Sequence, residues 1–431
     1  MSFSRILVVS AYDIFENNDA TSITIRSILK DWPKDKLYEI VCEMYEDRSD
    51  LTDKDRNKLF LSVNDINCGK IIKKLRNRKQ KLIKENNINE FILIEGNSSR
   101  EKTLQKIKLF LSATADLFPY EKNKIDDFVR IYNPEVIYLI PYGIRIMDVA
   151  LYINEKYGIP IITHIMDDWY STLYSFSKTQ KLHRSIMIKK YIKLLNNSKS
   201  VFVISDAMKI EYKSRFPNIN FVTLMNTPDV TINYRETPSK ITKICYVGSL
   251  HLNRWSSLYK FCEIVANLEK DDFRISVLSK DWNSVKQHFE KFNFIQSPGF
   301  LPPEQVKEEI SLADSVLFIE SFDESVKKYT KYSLSTKIPE YLSSQKPIIA
   351  IGPSGIASID YLKNNNAALV LDDFNQNHWP KLLSDFFTNE KDIENLVKNA
   401  IELFKKNHDY SIIKNRVFSI LNDSVGDNNP K

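Results

Sequence analysis

Glycine is scarce, with nine in 431 residues. No glycine-rich phosphate loop of the dinucleotide-binding or P-loop pattern occurs, which argues against both classes. The four cysteines, Cys42, Cys68, Cys245 and Cys262, include no C-x-x-C pair. A zinc ribbon or disulfide framework is therefore not expected; buried free thiols in a reducing cytosol are. No run of about 18 apolar residues is present, so no transmembrane helix is expected and any membrane contact is peripheral. Arg5-Ile-Leu-Val-Val-Ser10 is too short for a signal peptide and reads as a first strand. A net charge of +6 is modest for the length and does not point to nucleic acid.

What is present is a repeating rhythm of apolar strands and amphipathic helices. Strand candidates are Ile6–Val9, Leu37–Glu43, Phe60–Val63, Val136–Ile140, Ile159–Ile165, Ser200–Ser205 and Phe221–Met225. A polar segment with two prolines, Thr227–Lys240, reads as a linker. The rhythm then restarts with Ile244–Val247, Phe273–Leu278, Ser315–Ile319, Ile348–Ile351 and Ala368–Leu371. Helices are expected between them, including Val285–Phe292 and Glu304–Leu312, and two close the chain. The fold class is α/β, with two Rossmann-like domains facing across a cleft. The boundaries fall at 1–230 and 231–405, with 406–431 as a C-terminal helix and tail that crosses back to the first domain.

Two segments are strongly basic. Lys70–Lys84 carries eight Lys or Arg and no acid, with Ile72, Leu75, Leu82 and Ile83 near helical spacing. Lys178–Leu195 is similar in kind. Either is a solvated helix face or a contact for anionic lipid headgroups. The first run lacks aromatic residues, so it offers no stacking platform for nucleic acid.

Ligands of parallel sheets bind beyond the carboxyl ends of the strands. The suggestive loops fall there: Ser10–Thr21, His164–Tyr170, Gly248–Arg254, Gly299–Pro303, Glu320–Thr336 and Gly352–Gly355. The stretch from Tyr332 to Gly355 reads as a cap, a short helix, a buried strand and a tight loop. Ser335 or Ser333 is the expected cap, and Ile338, Tyr341 and Leu342 the apolar face. Lys337 and Glu340 sit three apart, and two readings stand: a surface ion pair, or ligands for phosphate and a diol. Arg254 is a surface charge or a phosphate contact. His164 is a structural histidine or a cleft residue. Trp169 and Tyr170 are packing or a sugar platform.

Several segments together resemble the donor half of a family 4-like GT-B glycosyltransferase, of the kind that builds bacterial surface polysaccharides. They are Tyr246-Val-Gly-Ser-Leu250 with Arg254, Pro298-Gly-Phe-Leu-Pro302, Leu312-Ala-Asp314, and Ser335-Thr-Lys-Ile-Pro-Glu-Tyr-Leu342 with Lys346-Pro-Ile348. Thr21-Ser-Ile-Thr24, Ile159-Pro-Ile-Ile-Thr-His164 with Asp167-Asp168-Trp169, and Val203-Ile-Ser205 with Asn226 are similar to the acceptor half. The resemblance implies transfer of a sugar from a nucleotide-diphosphate sugar, with retention, to a glycan or lipid-linked acceptor. It implies that Gly248, Ser249, Arg254, Ser335, Thr336 and Lys337 hold the donor diphosphate, and that Glu340 takes the ribose hydroxyls. Gly299 and Phe300 match the turn near the base. His164 matches the cleft histidine at the donor sugar, and Asp167 and Asp168 join it as candidate catalytic residues. No metal or other cofactor is expected; the nucleotide sugar is a substrate.

The chain departs from that pattern at two places. Tyr332 stands where many members carry a sugar-contacting glutamate, and Asn18-Asp-Ala-Thr21 replaces a glycine pair. The expectation is thus a cytoplasmic glycosyltransferase, peripheral on the inner face of the membrane. The rivals are a non-catalytic GT-B partner subunit and a GT-B sugar-nucleotide epimerase.

Overall fold

A computed structural model describes residues 3–17, 19–44, 57–62, 114, 116–117, 119–175, 178–228, 238, 240–268, 272–373 and 378–426. The chain divides into two compact units, Met1–Leu224 with Lys414–Lys431, and Met225–Ile413. The basic run Lys70–Lys84 lies outside the described residues, as does most of the expected linker.

The first unit is built on a parallel sheet of β1 (Ile6–Ser10), β2 (Leu37–Met44), β3 (Lys58–Ser62), β4 (Val136–Leu139), β5 (Ile161–Ile165), β6 (Ser198–Val203) and β7 (Phe221–Thr223). Its strand order is β3-β2-β1-β4-β5-β6-β7. β1 and β5 are buried at every residue, as strands covered on both faces must be. The helix Ala20–Ile28 is capped by Asp19, whose Oδ1 accepts the Ser22 amide at 3.0 Å. The final helix, Tyr410–Gly426, brings residues from Lys414 onward into this unit. There Arg416 donates to the Thr223 carbonyl at 2.8 Å, and Phe418 packs edge-on against Phe3.

The second unit has β8 (Lys243–Val247), β9 (Arg274–Leu278), β10 (Ile295–Gln296), β11 (Ser315–Ile319), β12 (Ile348–Ile351) and β13 (Leu369–Leu371). All pairs are parallel, in the order β10-β9-β8-β11-β12-β13. Ile244, Phe261, Val277, Leu317, Ile349 and Trp379 are among its core residues. In each sheet the order reverses beside the first strand: between β1 and β4, and between β8 and β11. In open α/β sheets that reversal opens a crevice at the carboxyl ends of the two strands.

Three expectations change. The segment expected as one helix, Val285–Phe292, is a short helix at Trp282–Val285 followed by a 3-10 turn at Lys286–His288. The helix Glu324–Thr330 was not expected; it is rich in charge and buries only Val326 and Tyr329. Among the described residues three helices close the chain, not two: Trp379–Phe386, Glu390–Asn407 and Tyr410–Gly426. Cys42, Cys245 and Cys262 are buried free thiols; Cys68 lies outside the described residues. Among the described residues no helix is long and apolar enough to cross a membrane.

Candidate functional site

The loops expected to hold the donor all leave the carboxyl ends of strands in the second sheet. After β8, Gly248 and Ser249 lead to the helix Arg254–Ala266. The two residues before that helix, Leu252 and Asn253, both have left-handed backbones, at φ 55° and 58°. Side chains with a Cβ take that conformation at a cost, and it recurs where a site constrains the chain. Here the two residues directly precede the helix, whose first residue is Arg254. Ser249 is committed internally: its Oγ donates to Asp281 Oδ2 at 2.7 Å, and its carbonyl accepts from Tyr246 at 2.8 Å. Asp281 also takes the Leu250 amide at 3.0 Å and lies 2.7 Å from His251 Nε2. Burial would raise the Asp281 carboxyl, but bonds from His251, Ser249 and Leu250 hold it below the usual carboxylate range.

After β10, Gly299 turns with a left-handed backbone, φ 85°, which glycine adopts without strain. It presents Phe300 to solvent, 76% exposed. After β11 and the helix Glu324–Thr330 come Ser335 and Thr336. The next helix runs Lys337–Ser343, with Thr336 at its cap position but no side-chain capping bond. Ser335 Oγ instead accepts the Lys337 amide at 3.3 Å, and the Ser335 amide donates to Ser358. Lys337 Nζ and Glu340 Oε2 are 2.8 Å apart, each side chain about one-third exposed. The apolar face is as expected: Ile338, Tyr341 and Leu342 are buried. Tyr341 also does something the spacing did not reveal, because its hydroxyl bonds both the amide and the carbonyl of Val247, the last residue of β8. One side chain thus ties the helix of Lys337 and Glu340 to the strand that leads to Arg254.

Arg254 itself is paired. Its guanidinium meets the carboxylate of Glu320, the residue after β11, with contacts of 3.0–3.1 Å. Neither Glu320 nor Asp281 was singled out from the sequence. Both follow the last apolar residues of a buried strand closely, and that position is the signal that could have found them.

In the first unit the three expected catalytic residues sit at β5 and just beyond. His164 lies within the strand and is wholly buried. Its Nδ1 is 2.7 Å from the Tyr138 hydroxyl, its ring packs edge-on to Phe202, and burial pushes its pKa down to about 3. Of the two roles open to it, structural histidine and cleft residue, its burial and its Tyr138 partner fit the structural one. Asp168 is also occupied: it accepts from the Tyr212 hydroxyl at 2.8 Å, from Arg215 at 3.2 Å and from the Ser171 amide at 3.4 Å. These bonds tie the loop after β5 to the helix Asp206–Arg215. Asp167 is partly exposed at the carboxyl end of β5. Trp169 is buried and packs edge-on against Tyr142; Tyr170 packs on Tyr191 and Phe216.

No protein-family model matches the sequence, and no curated protein sequence matches it. Solved structures do match the fold. Sucrose-phosphate synthase from Thermosynechococcus elongatus is similar over 98% of this chain and 99% of its own, with a TM-score of 0.64 at 9% identity. Anabaena HepE in complex with UDP is similar over 97% and 100%, with a TM-score of 0.60 at 11% identity. A glycosyltransferase from Rickettsia africae ESF-5 is similar over 99% and 98%, with a TM-score of 0.59 at 13% identity. At such identities the likeness defines the fold. It is the GT-B fold, two Rossmann-like α/β domains in one chain.

Proposed function

We propose that this chain is a glycosyltransferase, moving a sugar from a nucleotide-diphosphate sugar to a glycan or lipid-linked acceptor with retention. The observation that carries the reading is Arg254 at the switch point of the second sheet, next to a strand whose end is bonded to the helix of Lys337 and Glu340. The leaving nucleotide gains charge as the glycosidic bond breaks, and preorganised cations stabilise it most at that moment. Arg254 and Lys337 supply the cations, and Glu340 supplies paired acceptors for a vicinal diol. Phe300, exposed after β10, lies in the loop assigned to the base. HepE binds UDP, which makes uridine nucleotides the first donors to try. Incubation with nucleotide sugars tests the reading: nucleotide release that requires an acceptor supports it. Interconversion of sugars without an acceptor points instead to an epimerase.

A second reading is a nucleotide-sugar-binding subunit without turnover. It is favoured by the burial of His164 and the ion pair of Asp168, which leave Asp167 as the solvent-reaching member of the expected three. Nucleotide binding with no turnover on any acceptor would select it.

The acceptor is proposed to lie at an anionic membrane surface. The helix Lys181–Asn197 supports this, exposing Lys181, Leu182, Lys189 and Ile192 along one stripe. Two of its other lysines are neutralised, Lys190 by Asp148 and Lys193 by Glu155. The attraction is therefore weaker than the sequence count suggests. Sedimentation with vesicles is the check, and equal binding to neutral and anionic lipid removes this part.

A further inference from the structure

The Arg254–Glu320 pair bridges the two strands that flank the switch point, since β8 and β11 are neighbours. The carboxylate approaches side-on. Oε2 accepts from Nε at 3.1 Å, and Nη2 donates to Oε1 at 3.1 Å and to Oε2 at 3.0 Å. A guanidinium carries five N–H groups in one rigid plane. The side-on contact uses the Nε edge and leaves the end-on fork of Nη1 and Nη2, whose two parallel N–H groups match two oxygens of a phosphate. The Arg254 side chain is 20% exposed, so the contact is not sealed from solvent, whereas that of Glu320 is 4% exposed.

Glu320 is itself held on three sides. Its amide donates to the Ile351 carbonyl at 2.7 Å, and its carbonyl accepts from Ser257 Oγ at 3.0 Å. Gly352 presses against it, and a Cβ at that glycine would lie 2.8 Å from Glu320 Cβ. Burial raises the Glu320 carboxyl above its ordinary range, with Arg254 drawing it back. A buried ion pair is a poor source of stability, because desolvation offsets the attraction. What this one supplies is direction.

We infer that Glu320 is a positioning residue, holding the guanidinium of Arg254 so that its end-on edge faces the diphosphate of the nucleotide. The assignment rests on the donor-site reading above. Its test is titration calorimetry of the full chain with UDP, GDP and ADP, carried out on wild type, Glu320→Ala, Glu320→Gln, Arg254→Ala and the double Ala variant. For the diphosphate that wild type binds most tightly, Glu320→Ala weakens affinity by about tenfold or more, one good charge-assisted bond. Glu320→Gln, which keeps an acceptor for Nε, loses less. The double variant binds no worse than Arg254→Ala alone, because an undirected partner of an absent arginine has nothing left to lose. Affinity in Glu320→Ala equal to or above that of wild type overturns the assignment, as do losses that add in the double variant. If Glu320→Ala does not fold, the isosteric Gln variant decides: a loss of about threefold or more supports the role, and unchanged affinity overturns it. A wild-type protein that binds none of the three diphosphates overturns the donor reading and this assignment together.

Discussion

The hydroxyl of Tyr341 accepts the amide hydrogen of Val247 at 3.0 Å and donates to the carbonyl of the same residue at 3.2 Å. Both groups are buried and 94 residues apart in sequence. Tyr341→Phe keeps the ring and removes both of these buried bonds to the backbone of β8. The expected loss is about 1–3 kcal/mol of unfolding free energy, read from denaturant midpoints. Nucleotide affinity should fall as well, because the same hydroxyl ties the helix carrying Lys337 and Glu340 to the strand leading to Arg254. A variant of full stability and full affinity would show that the contact does not organise the site.

Lys337 and Glu340 form an ion pair that is about one-third exposed. Such pairs contribute at most about 1 kcal/mol. Glu340→Ala should therefore leave the melting temperature of the free protein nearly unchanged while removing the protection that a nucleoside diphosphate confers against heat. Arg254→Ala should likewise remove that protection without unfolding the protein. Differential scanning fluorimetry with and without nucleotide measures both. Undiminished protection in both variants would dissolve the proposed donor site.

Much of this architecture could be read from residue order. Ser315–Ile319 and Ile348–Ile351 are strands at the bounds their apolar runs suggest, because each run is bracketed by acidic residues, proline or glycine. The two-residue strand β10, Ile295–Gln296, carries too little pattern to be seen. The Lys337–Glu340 partnership was legible, since a spacing of three places both on one helical face. The Arg254–Glu320 partnership was not: it is made by the adjacency of β8 and β11, and no local spacing encodes it. His164 shows a different limit. Strands of a parallel sheet are buried on both faces, so no alternation marks which side chains reach a crevice and which fill the core.

His408 is wholly buried, with Nδ1 2.6 Å from the Asn226 carbonyl and Nε2 2.9 Å from the Tyr361 hydroxyl. Burial lowers its pKa from 6.5 to about 4. The folded protein therefore binds a proton later than the unfolded chain as pH falls. Stability from this group is present above pH 6.5 and declines as pH drops toward 4. Between pH 7 and pH 5 the loss is on the order of 2 kcal/mol. Comparing urea unfolding of wild type and His408→Gln at those two pH values isolates it. The variant should show the smaller acid loss, and identical losses would mean that His408 is charged or solvated in the fold.

Glu39 on β2 titrates in the opposite sense. It is wholly buried, and its Oε1 accepts the Ile14 amide at 2.7 Å and the Ser10 hydroxyl at 3.2 Å. Asp13, paired with Lys58 at 2.9 Å, lies close by. Burial first, and Asp13 second, raise the Glu39 pKa from 4.5 to about 8. The folded state thus keeps a proton that the unfolded chain gives up. Its contribution is complete below pH 4.5 and is lost as pH rises through about 8. Glu39→Gln keeps an acceptor for Ile14 and Ser10 but has no proton to lose. The variant should gain on wild type as pH rises, by on the order of 3 kcal/mol between pH 5 and pH 7.5. Urea midpoints across that range provide the measurement. Parallel profiles for the two proteins would place a charged, compensated carboxylate at this position, with Lys58 serving it as well as Asp13.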